Sequence, residues 1–386
     1  MASGVHHPPI ADLPKHLVAH LPLNLTSTPS LDPSDHQKKR IIFVGDVHGH
    51  LLSLKALLRK LKFDEKNGDH LVFVGDLVNK GPDSAGVVAL AMDVGASAVR
   101  GNHEDNVLRA RKTWEKKKHS KAQAILETVP LPVPDSGADG TTFGSREALT
   151  ETRKNHDDQA RTVAKSLSKK QIGWLSSLPL MLRIDHLPGA THPPWNAKEI
   201  IVVHAGLVPA LPLHKQDPWA IMNMRTLLYR LRSKADQGPE AADVPPPTLT
   251  TERHIEAIPS DARHGEPWSH SWNRFQNLSF PLHSDRTLVI YGHDAKAGLQ
   301  ANPKVVANDD DDDDDDETGG DSDVEAERRR KKKGGNKRKG VRYAFGIDSG
   351  CGHGRKLTAL ILEASGKDGA VSHRLEQVDC GAEGRG

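Results

Sequence analysis

The sequence is short of cysteine, of long apolar runs and of net charge. Only Cys351 and Cys380 occur in 386 residues, which excludes a disulfide framework and any multi-cysteine zinc site. No run of 18 apolar residues exists, so no membrane-spanning helix is expected. The N-terminus has no apolar stretch between a basic start and a small-residue cleavage site, so no secretory signal is expected. Lysine plus arginine (53) nearly balance aspartate plus glutamate (51), and the formal charge of +2 excludes nucleic-acid binding by bulk charge. The expectation from these absences is a soluble intracellular protein in the cytoplasm.

Hydrophobic residues make up 36 %, and 33 glycines add to them, which is enough for a sizeable core with part of the chain outside it. Residues 1–39 are rich in Pro, Ser and His without periodicity, and read as a disordered tail. Four short β-branched runs follow, IIFVG (41–45), LVFVG (71–75), SAVRG (97–101) and IIVVH (200–204). Nearly all apolar, they read as strands buried on both faces. Helical patterns lie between the first three, at 51–61 and 84–95. Strand and helix in alternation predict an α/β domain over 40–365. TLVIYGHD (287–294), YAFGID (343–348) and LTALILE (357–363) supply three more strands.

Residues 105–180 are mostly polar and helical, broken at 129–141, and read as an inserted helical cap. Within 302–340, thirteen acids (309–327) precede a dense basic stretch, RRRKKKGGNKRK (328–339). Like charges this dense repel, so the block reads as a disordered surface insertion. The basic stretch reads as a solvated part of this loop, with a nuclear-localisation patch or an attractor for polyanionic substrate as the functional alternatives. Residues 366–386 read as a C-terminal tail.

Polar clusters fall at the strand ends: Gly45-Asp46-Val47-His48-Gly49, Gly75-Asp76, Gly101-Asn102-His103-Glu104, His204-Ala205-Gly206 and Gly292-His293-Asp294. Open α/β sheets build their sites there. The donors are oxygen and imidazole without thiolate, a set suited to Mn, Fe, Zn, Co or Ni. Taken singly, Asp-x-His is more often a turn and a strand histidine a core group. Five clusters in one order carry the metal reading.

The pattern GDVHG…GDLVNKGPDS…GNHE…HAG…GH resembles the calcineurin-like metallophosphoesterases. The resemblance implies an α/β/β/α sandwich with two divalent ions, manganese, zinc or iron. Asp46 and His48 would ligate the first ion, Asp76 would bridge, and Asn102, His204 and His293 would ligate the second. His103 would be the general acid. Protein Ser/Thr phosphatases of this family read GDxVDRG where this chain has Asn79 and Lys80. Asn79 would orient His103 by accepting a hydrogen bond on its amide oxygen, without the charge of an aspartate. Lys80 would hold phosphate as a point charge, without the guanidinium fork. Together with YGHDAKAGLQ (291–300), GIDSGCGHGRKLTAL (346–360) and PWSHSWN (267–273), this is similar to the eukaryotic phosphatases related to diadenosine tetraphosphatase (ApaH-like). That branch implies polyphosphate, dinucleoside polyphosphates or capped RNA as substrates. The alternatives are a protein Ser/Thr phosphatase and a non-catalytic binding module on the same fold.

Arg274 is a further candidate phosphate contact, with a surface or capping arginine as the alternative. Asp348 and Ser349 are candidates for the site floor. Trp268 and Trp272 either stack on a base or pack in the core. Cys351 reads as a small buried residue.

Overall fold

Within β2, neighbouring side chains divide between two separate cores. Ile41 and Phe43 enter one, and Ile42 and Val44 enter the other. Alternation of this kind makes the strand a wall buried on both faces. The computed structural model describes residues 12–21, 39–127, 158–231, 255–306, 339–365 and 370–381. Its strands are β1 (Val18–His20), β2 (Arg40–Val44), β3 (Asp69–Phe73), β4 (Ser97–Ala98), β5 (Met181–Asp185), β6 (Glu199–Val203), β7 (Thr226–Leu231), β8 (Ile255–Ser260), β9 (Glu266–Pro267), β10 (Thr287–Tyr291), β11 (Lys304–Val306), β12 (Lys339–Val341), β13 (Ala344–Gly346), β14 (Lys356–Ser365) and β15 (Ala370–Asp379). Its principal helices are α1 (Leu51–Leu61), α2 (Ser84–Asp93), α3 (Asn102–Glu127), α4 (Lys169–Ser177), α5 (Pro218–Asn223) and α6 (Trp268–Ser279).

Two five-stranded mixed sheets, β15-β14-β2-β3-β4 and β1-β5-β6-β10-β13, lie face to face. One core fills the space between them, with Phe43, Val72 and Leu360 from the first sheet and Val202 and Ile290 from the second. The other core lies beneath α1 and α2, where Leu54, Leu57 and Leu61 of α1 are buried at helical spacing. On the far side, α6 docks on the second sheet: Asn273 Oδ1 accepts from the backbone of Tyr343 and Ala344 at 2.6 and 3.0 Å. The result is the expected α/β/β/α sandwich.

Pairing register brings the functional loops level. β2 runs parallel to β3 with Val44 opposite Phe73, and β6 runs parallel to β10 with Val202 opposite Ile290. Asp46 and Asp76 therefore follow one sheet edge, and His204 and His293 follow its neighbour. Trp268 and Trp272 are 3 % and 4 % exposed, so the core reading holds and the base-stacking one does not.

Several boundaries differ from expectation. Part of the supposed N-terminal tail is ordered, since Leu13 is buried and β1 adds in parallel to β5. The supposed C-terminal tail supplies β15, which pairs with β14 over all ten residues. Of the expected cap, Val107, Ala160, Ala164, Leu167 and Leu175 are buried in the core beneath the first sheet. These residues belong to the outer helical layer, and 128–157 lie outside the described residues. The acidic–basic insertion rises from a two-stranded ribbon, β11 with β12, and 307–338 also lie outside the described residues. Among the described residues no helix is long and apolar enough to cross a membrane.

Cys351 is buried as expected, but in a disulfide with Cys380 across a sequence separation of 29. The bridge joins the end of β15 to the turn after β13. Cys380→Ser is expected to lower stability by about 3–4 kcal/mol, from loop-closure entropy over that span. Denaturant titration of the oxidised protein against the variant measures this, and coincident midpoints would refute it.

Candidate metal centre

The strand-end loops carry an unusual backbone. His48, Asp76, Asn79, Lys80 and His293 all have left-handed φ, between 50° and 70°. Such conformations cost about 1–3 kcal/mol each in non-glycine residues and persist where surrounding bonds enforce them. Val47 N and His48 N donate to Asp76 O at 3.1 and 2.8 Å, which ties the first loop to the second. Gly292 N donates to His204 O at 2.9 Å, which joins the loops of the other sheet. Gly75, at φ +95°, has no room for a side chain: a Cβ would stand 2.8 Å from His204 Nδ1. Glu104 completes the frame by accepting from the backbone of Asp76, Leu77 and Gly101, each at 2.8 Å.

Side chains converge on Asp76. His48 Nε2 lies 3.6 Å and His103 Nε2 3.9 Å from Oδ2, while His204 Nε2 lies 3.3 Å from Oδ1. Two ligand groups result, His48–Asp76–His103 and Asp76–His204–His293, each with its donor atoms within 4.8 Å of one another. Asp76 belongs to both. Asn102 Oδ1 is 3.0 Å from His204 Nε2. Asp46 sits 3.9 Å from His48 Nε2 and accepts from the His293 backbone N–H at 3.1 Å. All six residues expected as ligands are thus brought together. The departure is His103, expected only as an acid but lying within the first group.

Backbone carbonyls set the ring orientations. His204 Nδ1 donates to Val74 O at 2.9 Å and His48 Nδ1 to Val78 O at 3.3 Å, which turns Nε2 of each toward the centre. His293 is turned the other way: Nε2 donates to Asn223 O at 3.0 Å, so Nδ1 is the free donor atom. Burial, then the nearby His103 and Lys80, hold His48 well below the usual imidazole range. Burial and the adjacent Arg225 do the same for His293. Neutral imidazole is the form that binds a metal. Burial disfavours the charged form of Asp76, but the His204, His103 and His48 rings overcome it and hold its carboxyl well below the carboxylate range. Burial, with Asp348 and Asp76 as like charges, pushes Asp46 well up.

The Asn79 side-chain amide lies 3.1 Å from His103 Nδ1, beside the ring it was expected to orient. Lys80 Nζ donates to His48 Nε2 at 2.8 Å, at the centre as expected. Arg274 is not in the site. It pairs with Glu266 at 2.7 and 3.1 Å, and the cleft of about 340 Å³ over the centre is lined by Arg225 and Arg263 in its place. The loops after α5 and β8 supply these two arginines. The polar turn Asp261–Gly265 after an apolar strand was the available signal for Arg263, and no motif marks Arg225. Asp348 lines the cleft, whereas Ser349 Oγ donates to Lys356 O at 2.7 Å.

The profile of the family "Calcineurin-like phosphoesterase" matches residues 39–297. Over 73 residues the chain is 47 % identical to serine/threonine-protein phosphatase 1 of Salmonella typhimurium, covering 19 % of this chain and 33 % of that protein. Over 169 residues it is 29 % identical to the symmetrical bis(5'-nucleosyl)-tetraphosphatase of Buchnera aphidicola, covering 43 % and 44 %. A solved structure provisionally described as a diadenosine tetraphosphatase is 24 % identical, covers 93 % of this chain and 97 % of that one, and gives a TM-score of 0.48. The chain spans a third to under half of the length of these two curated relatives. The matched span holds every strand-end cluster from Asp46 to His293, and the chain belongs to the calcineurin-like phosphoesterase family.

Proposed function

We propose that the chain is a dinuclear-metal phosphohydrolase that cleaves phosphoanhydrides, with dinucleoside polyphosphates or inorganic polyphosphate as substrates. The observation that carries this is the shared carboxylate: Asp76 stands in both ligand groups. The donor set fits manganese, zinc or iron, being oxygen and imidazole without thiolate. Glycines fit it too, since a Cβ at Gly101 would collide with the Asp76 carboxylate and one at Gly292 with that of Asp46.

Asp46, His48 and Asp76 would hold one ion, and Asp76, Asn102, His204 and His293 the other. When bound, such a pair neutralises phosphate charge and acidifies a water so that it can attack phosphorus in line. Lys80, Arg225 and Arg263 bind the phosphate oxygens from the cleft walls. His103, as its imidazolium, would deliver the Nε2 proton to the leaving oxygen and return to neutral imidazole. Asn79, 3.1 Å from Nδ1, orients that ring without adding charge, and a phosphate leaving group needs less help from an acid than an alkoxide does.

Purified protein in Mn²⁺ is offered polyphosphate, diadenosine tetraphosphate, capped RNA and a phosphoserine peptide. Turnover of one or both of the first two is expected. Activity confined to the peptide would overturn the anhydride reading in favour of a protein phosphatase, the activity named for the Salmonella relative.

A further inference from the structure

The cleft carries more cationic groups than a single phosphate needs. Arg225 and Arg263 line one part of it. Arg263 is already paired with Asp294, on Oδ2 at 3.2 Å and on Oδ1. A second group comes from two other loops: Lys296, after β10, and His353, in the short turn Cys351–His353. Both are exposed to the cleft, and among the described residues neither forms an ion pair. Burial, then Lys80, Arg355 and Lys296, outweigh Asp348 and hold His353 below the usual imidazole range. Lys80 in turn reaches the metal centre through His48. The cleft wall therefore carries two lysines, Lys80 and Lys296, together with the His353 ring, which offers a neutral N–H donor.

This second group is held in place. Arg355 Nη2 donates to Ala295 O at 2.6 Å, which locks the loop of Lys296 to the loop of His353. The disulfide from Cys351 fixes the His353 turn to the end of β15. On its inner side the turn rests on the centre itself, since a Cβ at Gly352 would stand 2.9 Å from Lys80 Cδ and closer still to the His48 ring. Groups carried on loops fixed in advance at a cleft wall bind an anion at lower entropic cost than groups on loops that must first be ordered.

We propose that Lys296 and His353 form a second phosphate subsite, which takes the phosphate one anhydride link away from the phosphorus at the metal centre. The site then selects linked phosphates over a lone phosphomonoester. This rests on the hydrolase reading for its role in turnover, but the binding it describes is measurable without turnover. Inorganic polyphosphate and nucleotide polyphosphates share the linked-phosphate chemistry.

The test is calorimetric binding of methylenediphosphonate, whose P–C–P link cannot be hydrolysed, and of methylphosphonate to the Mn²⁺-loaded protein. Lys296→Ala and His353→Ala are each expected to weaken diphosphonate binding about tenfold or more and methylphosphonate less than twofold. Lys296→Arg, which keeps the charge, is expected to stay within threefold of the parent for both. Unchanged diphosphonate binding, or equal loss for both probes, would overturn the subsite. A turnover arm compares KM for tripolyphosphate and diadenosine tetraphosphate in the same variants. A rise for both supports recognition of the shared phosphate chain, a rise for one alone identifies the source that the subsite serves, and a rise for neither overturns the proposal. Absence of all turnover would defeat the hydrolase reading and leave the binding result standing.

Discussion

Asp76→Asn is expected to abolish turnover and to cut bound divalent metal from two ions per chain to one or fewer, with the fold intact. Among the described residues Asp76 is the one carboxylate common to both candidate ligand groups, so its charge would serve both ions. Loss of a group that merely supports a metal ligand costs about 10–100-fold in metal affinity or activity, and loss of a shared ligand is expected to exceed that. The fold survives because the loop is held by main-chain atoms. Val47 and His48 donate to the Asp76 carbonyl, and the Asp76 N–H donates to Glu104 Oε2 at 2.8 Å. An asparagine leaves all of these in place. Metal analysis, turnover and the thermal midpoint measured on one preparation separate the effects. Full metal content with full activity would remove Asp76 from the bridging position.

His103→Asn is expected to slow turnover by about 10²–10⁴-fold, the usual contribution of a positioned general acid. The loss should grow as the leaving group becomes more basic. It should be smallest for p-nitrophenyl phosphate, intermediate for an anhydride and largest for an alkyl phosphate. The sign follows from the acid role, since a more basic leaving oxygen depends more on the proton that His103 supplies. Metal content should be unchanged. Because His103 Nε2 lies 3.9 Å from Asp76 Oδ2 and falls in a ligand group, metal loss in this variant would reassign it from acid to ligand.

The inner strands and the convergence of the candidate ligands were legible because both are written in local runs. IIFVG, LVFVG and IIVVH are apolar on both faces, and a strand of that kind has to lie inside a sandwich. Each run ends in the cluster it positions, so the order of the clusters carried the site. The edges were not legible. β1 has only three residues, none of them fully buried, and β15 is half-buried along most of its length. Both are held by pairing with strands distant in sequence, which no local pattern encodes. The disulfide is the same kind of feature, because 29 residues separate its ends and the register of β14 with β15 is what brings them together. Arg274 and Arg263 show a further limit. Both are arginines in polar context near the same helix, and only the direction of the side chain separates one paired with Glu266 from one lining the cleft. The helices at 158–177 failed differently: their polar composition suggested a separate cap, although a few buried alanines and leucines are enough to seat them against α2 and α3 in the same core.

Side chains from both sheets are expected to hold two divalent ions through one shared carboxylate, and anomalous X-ray scattering from crystals grown with Mn²⁺ would locate them. Two peaks about 3.5–4 Å apart are expected, with an Asp76 oxygen between them, Asp46 and His48 at one, and Asn102, His204 and His293 at the other. A single peak, or two peaks that do not share Asp76, would contradict it.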